Sequence, residues 1–324
     1  MISDIEEKYS VGPLMYSPAI NKKAADTIIY GNIKGKYSFA LCLEDTISED
    51  MVEEAENQLK ETFERIYCFY KNQNGFVPKI FIRVRKAEQM KRVFNSIRDY
   101  TDILSGFIFP KYTVANADNY NNALIDINKI SGKKIYCMPI IESSDIIDLK
   151  TRYEILEKIK KYIDSINDFV INVRVGGNDF SNAFGVRRHN DETIYDIFPI
   201  AQLLSDIITF FSMDYVVSGP VWEFFYDKDG QWERGLKKEI KLDMLNGFVG
   251  KTVIHPNQIP VVNEMLKVSV RDYEDAKEIL NWNKNGIQVG KSFCGERMNE
   301  VRTNYNWALK TMVLAKIYGI LQKE

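Results

Sequence analysis

The feature that most constrains the fold of this chain is the regular return of short apolar runs, separated by longer amphipathic segments. The runs show little alternation of polar and apolar residues, which is typical of strands buried on both faces of a parallel sheet. Eight runs can be recognised, at residues 13–17, 37–43, 79–84, 106–110, 135–141, 169–175, 214–218 and 248–255. Eight strands alternating with helices favour an α/β fold, the closed (β/α)8 TIM barrel.

Amphipathic helices are predicted between these runs. In residues 48–71, apolar side chains recur every three or four positions, which would give a helix one apolar face. Similar patterns occupy residues 143–164, 193–212, 235–245 and 257–266. The alternative architecture is a doubly wound open sheet, but no Gly-x-Gly-x-x-Gly segment follows the first run.

The chain is longer than a barrel requires. It has 324 residues, whereas about 250 suffice for a (β/α)8 barrel. We therefore predict a barrel catalytic domain at residues 1–267 and a C-terminal helical extension at residues 268–324. Within the extension we expect a helix at 272–282, a turn rich in glycine, and a final helix from about Glu296 to Leu321. The extension packs either on its own barrel or on a neighbouring copy.

Composition excludes several classes of partner. The chain has 43 basic and 45 acidic residues, so it lacks the basic excess of nucleic-acid-binding proteins. Its four cysteines form no Cys-x-x-Cys pair, which favours the reduced thiols of a cytosolic protein over a disulfide framework. No apolar stretch is long enough to span a bilayer, and residues 1–12 do not resemble a signal peptide. We expect a cytoplasmic protein with no nucleic-acid or membrane partner.

Charged residues follow the predicted strands directly. Because the active site of a (β/α)8 barrel is built at the carboxyl ends of its strands, these residues are the candidate site. They are Glu44 and Asp45 after the second run, Arg83 in the third, Lys111 after the fourth, Glu142 after the fifth, Gly176, Gly177 and Asp179 after the sixth, and His255 in the eighth.

Each of these residues also has an ordinary structural interpretation. A glutamate after a strand can simply stabilise the N-terminus of the next helix. Asp179 after two glycines can be a turn residue, and Arg83 or Lys111 can be solvated surface charges. The functional interpretation is favoured because acids and bases from several strands would converge on one rim, where isolated charges are costly.

Two of the acids predict a metal site. Mg²⁺ binds through one or two protein carboxylates and completes its octahedron with water and substrate oxygens, which Glu142 and Asp179 could provide. Mn²⁺ also suits carboxylate ligands and is the alternative ion. Gly176 and Gly177 would let the backbone approach the ion or an anionic substrate. Zinc is disfavoured because the chain has only two histidines and no thiol cluster, and no Gly-x-Ser-x-Gly nucleophile elbow is present.

Five segments carry a resemblance to a known family. They are Leu43–Thr46 (LEDT), Phe81–Val84 (FIRV), Pro139–Ser143 (PIIES), Gly176–Phe180 (GGNDF) and Gly250–Ile259 (GKTVIHPNQI). On these segments the chain resembles the citrate lyase beta-subunit family of the HpcH/HpaI aldolase superfamily. Within it, the chain looks closest to the carbon–carbon bond lyase-like branch found with tellurium-resistance and stress-response gene clusters.

The resemblance implies a (β/α)8 barrel that assembles as a homo-trimer or homo-hexamer, with the C-terminal part covering a neighbouring site. It implies that Glu142 and Asp179 bind Mg²⁺ and that Arg83 binds substrate. A coenzyme A thioester is a possible substrate of such a protein.

Three departures from the family pattern bear on the substrate. The family's first Asp in its Asp-Leu-Glu-Asp motif is Cys42 here, its Pro-Gly-x-Arg turn ends in Asn21, and an Asp near its C-terminus is replaced in the segment around Asn299. These departures argue against a citryl or malyl thioester.

Together these features predict a Mg²⁺-dependent carbon–carbon bond lyase of the retro-aldol or retro-Claisen type, acting through a metal-stabilised enolate on a small carboxylate or acyl thioester. Arg83 would be the catalytic guanidinium, because its fork can hold a carboxylate bidentately. Glu44 and Asp45 would be acid–base groups or would hold a water molecule at the metal, and Lys111, Gly176 and Gly177 would contact substrate. The alternative is a catalytically divergent barrel that binds metal and metabolite in a regulatory or accessory role.

Overall fold

A computed structural model of the protein describes residues 4–31, 33–73, 77–282 and 286–322. Its main sheet has eight strands, all parallel, in the order β7-β6-β5-β4-β3-β2-β1-β8. The strands are β1 Pro13–Pro18, β2 Ser38–Cys42, β3 Lys79–Arg83, β4 Leu104–Phe109, β5 Tyr136–Ile141, β6 Val173–Val175, β7 Val217–Ser218 and β8 Lys251–Val253. Each strand overlaps one of the predicted apolar runs.

The sheet closes on itself. β1 pairs with β8 as well as with β2. A parallel bridge between Gly219 and Lys251 joins the ends of β7 and β8, and the Val249 N–H donates to the Val217 carbonyl at 2.8 Å. The predicted TIM barrel is therefore confirmed.

Helices connect the strands and cover their outer faces. In the longest, apolar residues at helical spacing such as Leu59 and Phe63 are fully buried, so its apolar face stabilises the fold by removal from water. The helices of the barrel are α2 Ala24–Ile29, α3 Val52–Gln73, α4 Ala87–Ser96, α5 Ala117–Ile130, α6 Arg152–Asp164, α7 Gly177–Phe184, α8 Phe198–Phe211, α9 Gln231–Leu245 and α10 Gln258–Met265; α1 Asp4–Tyr9 precedes them.

Two predicted helices begin later than expected. The segment predicted as a helix from residue 143 starts with a 3-10 turn at Ser144–Ile146, and α6 begins only at Arg152. The segment predicted from residue 193 likewise starts with a 3-10 turn at Ile194–Asp196 before α8. Short 3-10 turns often connect strands to helices and are not visible in hydrophobic periodicity.

The inner face of the barrel is filled by side chains of its first strands and of residues beside them. Alternate residues of each strand point inwards and pack together, as expected for parallel strands around a closed core. The resulting apolar cluster consists of Val11, Leu14, Ala40, Phe81, Ile108, Met138, Ile140 and Ile171. This packed interior supports a rim at the carboxyl ends of the strands.

The chain forms two compact units, Val11–Val262 and a second unit of residues 4–10 with 263–322. The predicted division at residue 267 had placed residues 4–10 with the barrel. In the second unit α11 Val270–Asn281 packs against α12 Val301–Tyr318 around Ala276, Ile279 and Ala308. Where the sequence predicted a glycine-rich turn and a helix from about residue 296, an antiparallel hairpin of β9 Val289–Lys291 and β10 Met298–Glu300 precedes α12.

The helices within the described ranges are all too short or too polar to cross a membrane.

Candidate active site

The charged residues predicted from strand ends do converge at the carboxyl end of the barrel. Glu44 and Asp45 follow β2, Arg83 is the last residue of β3, Lys111 follows β4 and Glu142 follows β5. These five residues contact one another and are called the rim cluster below.

Arg83 lies at the centre of the rim cluster. Its Nη2 is 2.6 Å from Glu44 Oε2, 3.1 Å from Asp45 Oδ2 and 3.3 Å from Glu142 Oε1, and its side chain is only 12% exposed. Burial opposes the charge of this guanidinium, but Glu142 and the other neighbouring acids outweigh burial and raise its pKa. Arg83 is therefore a permanent cation that holds carboxylates from two other strand ends in place.

Lys111 adds a second cation to the rim cluster and has an unusual backbone conformation. Its Nζ is 2.7 Å from Glu44 Oε1 and 2.9 Å from Asp45 Oδ1. Its φ of 46° lies in the left-handed region, which is uncommon for a residue with a side chain. The Asn116 side-chain amide donates to the Lys111 carbonyl at 2.8 Å and holds this conformation. Strained residues of this kind cluster at functional sites.

The conformation of Lys111 aims its backbone N–H at Glu142. That N–H donates to Glu142 Oε1 at 2.8 Å. The Glu142 side chain is 3% exposed. Burial raises the pKa of Glu142 to about 8, and the negative charge of Asp179 adds to this, although Arg83 and the Lys111 N–H oppose it. A second positive charge beside Glu142 would therefore favour its ionised form.

Glu142 and Asp179 approach each other across Gly176. A Cβ at position 176 would lie 2.2 Å from Glu142 Cβ, 2.5 Å from Glu142 Oε2 and 3.0 Å from Asp179 Oδ2. Glycine is thus required at this position, and the two carboxylates face a common point. Asp179 reaches it from the first turn of α7, which begins at Gly177.

This arrangement fits a hard divalent cation. Two carboxylates are what Mg²⁺ takes from a protein, since water and substrate supply its other ligands. In the part of the chain that the structure describes, no group of three or more His, Cys, Asp or Glu is arranged to hold a metal, as a closed structural zinc site would require. Because the rim cluster already has three carboxylates for two cations, Asp179 adds to an excess of negative charge.

A cavity of about 370 Å³ opens beside the two carboxylates. Its size is at the lower end of the range for small-molecule sites. Glu44 and Lys111 do not line it, but they contact residues that do. Six of the nine candidate site residues line the cavity: Asp45, Arg83, Glu142, Gly176, Gly177 and Asp179.

Several residues of this cavity were not predicted, and three of them have polar side chains on different strands. Arg174 in β6, Tyr16 in β1 and Thr252 in β8 all line it. Arg174 is 1% exposed, and its Nη2 donates to Thr252 Oγ1 at 2.6 Å. An arginine between two valines in a mostly apolar run was the signal that could have identified it, because a charge inside a buried strand is costly unless it has a partner.

The residues that depart from the family pattern lie in different places. Cys42 is buried and lines the cavity. Asn21 lies outside the cavity lining and donates to Ser17 Oγ at 3.0 Å. Asn299 is in the second unit, where its Nδ2 donates to Asp275 Oδ1 at 3.1 Å. Of the three, only Cys42 is thus positioned to contact a ligand in this cavity.

His255 is held by its neighbours rather than aimed into the cavity. Its ring stacks on Phe225 with centroids 4.6 Å apart, and its Nδ1 accepts a hydrogen bond from the Asn257 N–H at 3.2 Å. The adjacent residue, Ile254, lines the cavity instead. The sequence left a catalytic and a structural role equally open for His255, and these contacts support the structural role.

A second group of charges lies apart from the cavity lining. Lys251 Nζ is 2.7 Å from both Glu239 Oε1 and Asp243 Oδ2, and Arg188 Nε is 3.5 Å from Glu239 Oε2. These four side chains, called the closed cluster below, are each at most 2% exposed. They join α9 to the start of β8 and to the segment after α7.

A closed barrel of eight parallel strands, with a charged cavity at their carboxyl ends, is the architecture of a (β/α)8-barrel enzyme. The chain belongs to the family described as "C-C_Bond_Lyase of the TIM-Barrel fold", whose model matches residues 5–320. The predicted kinship with citrate lyase beta-subunit-like lyases is confirmed at this level, whereas the association with tellurium-resistance gene clusters stays a prediction.

Individual relatives are more distant. The mitochondrial citramalyl-CoA lyase of Rattus norvegicus is 28% identical over 155 residues, which cover 48% of this chain and 42% of that protein. The alignment thus spans less than half the length of this curated relative.

Solved structures share the fold. The protein CitE of Mycobacterium tuberculosis, solved with magnesium, acetoacetate and coenzyme A, is 17% identical with a TM-score of 0.60, over 95% of this chain and 99% of that one. RipC of Yersinia pestis is 16% identical with a TM-score of 0.53, over 80% of this chain and 95% of that one.

Proposed function

We propose that the protein is a Mg²⁺-dependent carbon–carbon bond lyase, with Glu142 and Asp179 as the protein ligands of the ion. The observation that carries this proposal is the convergence of the two carboxylates on Gly176, beside a cavity lined by guanidinium groups. Membership of the carbon–carbon bond lyase family supports the reaction class. The magnesium in the CitE structure supports the choice of ion.

The proposed reaction requires positive charge beside the oxygen that becomes negative when the carbon–carbon bond breaks. Cleavage of a carbon–carbon bond beside a carbonyl leaves negative charge on an enolate, and Mg²⁺ bound at this site would supply positive charge there. Arg83 would stabilise the carboxylate next to the enolate, since its guanidinium is a permanent cation at the cavity wall. Its ion pairs with Glu44 and Glu142 fix its position before substrate binds.

The remaining rim residues would position groups and move protons. Asp45 is half exposed and lines the cavity, so it is the better placed of the two predicted acid–base residues. Glu44 is 10% exposed and shared between Arg83 and Lys111, which suits a positioning role. Lys111 would act on the site through Glu44, Asp45 and its own N–H. Gly176 and Gly177 would admit the substrate close to the backbone.

The substrate class is a small carboxylate or an acyl thioester. The size of the cavity suits a short acid or the acyl end of a longer molecule. The rat relative is named for a coenzyme A thioester, and the CitE structure contains coenzyme A with acetoacetate. The departures from the family pattern at Cys42, Asn21 and Asn299 argue against a citryl or malyl thioester in particular.

Oxalate tests this proposal without knowledge of the true substrate. Oxalate is a planar dianion that resembles the enolate of pyruvate, and transition-state-like ligands can bind about 10²-fold more tightly than substrate-like ones. Calorimetric titration should show that oxalate binding requires Mg²⁺ and exceeds binding of acetate. It should weaken in Arg83→Lys, which keeps the charge but loses the planar fork.

Two controls keep the oxalate experiment interpretable. A protein-free titration corrects for chelation of free Mg²⁺, and Arg92→Lys, at an exposed ion pair outside the cavity, should bind oxalate like the wild type. If the wild type binds no oxalate in the presence of Mg²⁺, the lyase proposal fails. A barrel that has lost turnover would then account better for the fold.

Assembly and location are separate proposals. We expect a cytoplasmic homo-trimer or homo-hexamer, as the family resemblance implies. From the sequence we expect the apolar face of the last helix to help bury the contact, through Trp307, Met312, Val313, Ile317 and Ile320. This face is partly used within its own unit, since Trp307 and Met312 pack against the core of α11 and α12. More exposed apolar residues of the same unit are Ile287, Phe293 and Met298. Light scattering that gives a monomeric mass at micromolar concentration would reject the oligomer.

A further inference from the structure

Arg174 is the most deeply buried charge that lines the cavity. It lies in the middle of β6, is 1% exposed, and shares the cavity wall with Tyr16 and Thr252. Burial lowers its pKa, which means that its surroundings disfavour the charge. A guanidinium nevertheless stays protonated in proteins, so a positive charge is present at this wall.

Every protein partner of this guanidinium is neutral. Nη2 donates to Thr252 Oγ1 at 2.6 Å, and Nη1 donates to Asn172 Oδ1 at 3.4 Å, with Met138 Sδ at 3.9 Å. The Tyr16 hydroxyl also shares a hydrogen bond with it. Among the residues that the structure describes, no carboxylate forms an ion pair with Arg174.

Two other buried arginines of the barrel form ion pairs with acidic side chains. Arg152 Nη1 is 2.8 Å from Asp206 Oδ2, and Arg188 Nε is 3.5 Å from Glu239 Oε2. Their guanidinium groups do not line the cavity. Arg174 differs in both respects, because it lacks an acid and faces a cavity.

A buried charge without a counter-ion is costly, so its presence points to an anion supplied from outside the chain. Arg83, which lines the same cavity, is already surrounded by Glu44, Asp45 and Glu142. Among the described residues that line this cavity, Arg174 is therefore the arginine whose guanidinium has no carboxylate partner. Its five N–H donors form a planar fork that matches a carboxylate.

We propose that Arg174 binds a second carboxylate of the substrate, so that the substrate is a short dicarboxylate or carries a distal carboxylate. The Thr252 and Tyr16 hydroxyls hold the guanidinium in place. This inference rests on the proposed function for the other end of the substrate, where a carboxylate and an adjacent oxygen face the Glu142 and Asp179 pair. The residue thus sets specificity by rejecting acids whose far end is apolar.

A pair of matched ligands tests the proposal. (S)-malate and (S)-2-hydroxybutyrate share the same hydroxy-acid end and differ only in a distal carboxylate against a methyl group. In calorimetric titrations with Mg²⁺ and a protein-free blank, the wild type should bind malate at least about tenfold more tightly. Arg174→Met should bind the two acids equally, and Arg174→Lys should keep part of the preference because it keeps the charge.

Thermal unfolding separates this role from a structural one. Arg174→Met removes a charge that has no acid partner and should not lower the melting temperature. Arg152→Met leaves Asp206 without its cation and should lower the melting temperature.

The binding experiment has distinct outcomes for the two proposals. Equal binding of both acids by the wild type, or a malate preference that survives in Arg174→Met, overturns the role of Arg174. If that binding still depends on Mg²⁺, the lyase proposal remains intact. A preference that depends on Arg174 but not on Mg²⁺ supports this inference and contradicts the metal site. Failure of both acids to bind contradicts both.

Discussion

The rim cluster and the closed cluster are made of the same residue types but differ in balance and access. The closed cluster pairs two cations with two carboxylates, and its side chains are at most 2% exposed. The rim cluster has three carboxylates for two cations, borders a cavity, and leaves Asp45 and Lys111 about half exposed. Residue identity therefore does not distinguish the two clusters. Their charge balance and their access to a cavity do.

Hydrogen bonding supports the same distinction. In the closed cluster the Ile194 N–H donates to Glu239 Oε2 and the Tyr195 hydroxyl donates to Asp243 Oδ1, each at 2.7 Å. The carboxylates there are used entirely by the protein. At the rim, Glu142 Oε1 accepts from Arg83 and Lys111, while Glu142 Oε2 faces Gly176 and Asp179. One oxygen orients the side chain and the other is directed at the site.

The largest effect on stability is expected in the closed cluster. Lys251→Met should destabilise the fold by about 3–5 kcal/mol, because it leaves Glu239 and Asp243 buried without their shared cation. Lys241→Met, at an exposed position of the same helix α9, should change stability by no more than about 0.5 kcal/mol. Urea unfolding of the two variants measures the difference. Equal costs would mean that the closed cluster is not a stabilising network.

At the rim, the larger effect should be on ion binding. Glu142→Gln keeps an oxygen that can accept from Lys111 and Arg83, so we expect the free energy of unfolding to change by less than about 1 kcal/mol. Mg²⁺ affinity should fall at least about tenfold, or about 1.4 kcal/mol. Asp179→Asn should lower Mg²⁺ affinity in the same way. Glu49→Gln, at an 88% exposed carboxylate, should leave Mg²⁺ affinity unchanged. Calorimetry that gives wild-type Mg²⁺ affinity in both site variants would remove the metal assignment.

The smallest effect concerns the backbone of the rim. Lys111→Gly and Lys111→Ala lose the same ion pairs, but glycine tolerates the φ of 46°. The glycine variant should therefore be more stable than the alanine variant by about 1 kcal/mol. At Lys158, in the middle of helix α6, the order should reverse, since glycine in a helix interior costs about 1 kcal/mol relative to alanine. Alanine equal to or better than glycine at position 111 would show that the rim stores no strain.

Much of the fold could be predicted from the sequence because the strands are buried on both faces. Their apolar runs stand out, and the residue after each run must lie at the rim once the strands are parallel. That reasoning located Glu142 and Asp179 without knowledge of their distance. It could not reveal that Arg83 is enclosed by three carboxylates, because side-chain pairing between strands leaves no mark on local sequence.

The missed features have physical causes. Arg174 lies inside a strand, so a search of strand ends passed over it. Lys251 was recognised only as part of a motif, because the carboxylates that pair with it lie on a helix elsewhere in the chain. The hairpin β9–β10 is short and largely exposed, so it lacks the apolar periodicity that identifies strands.

The pairing of β1 with β8 has a consequence for the newly synthesised chain. β8 is the last barrel strand to leave the ribosome, and it supplies Thr252 and, just beyond its end, Ile254 to the cavity. Strands β2 to β6, which gather the rim carboxylates, are complete well before. Glu142 and Asp179 therefore leave the ribosome before the barrel can close, and Arg174 lacks Thr252, one of its two hydroxyl partners, until β8 pairs with β1.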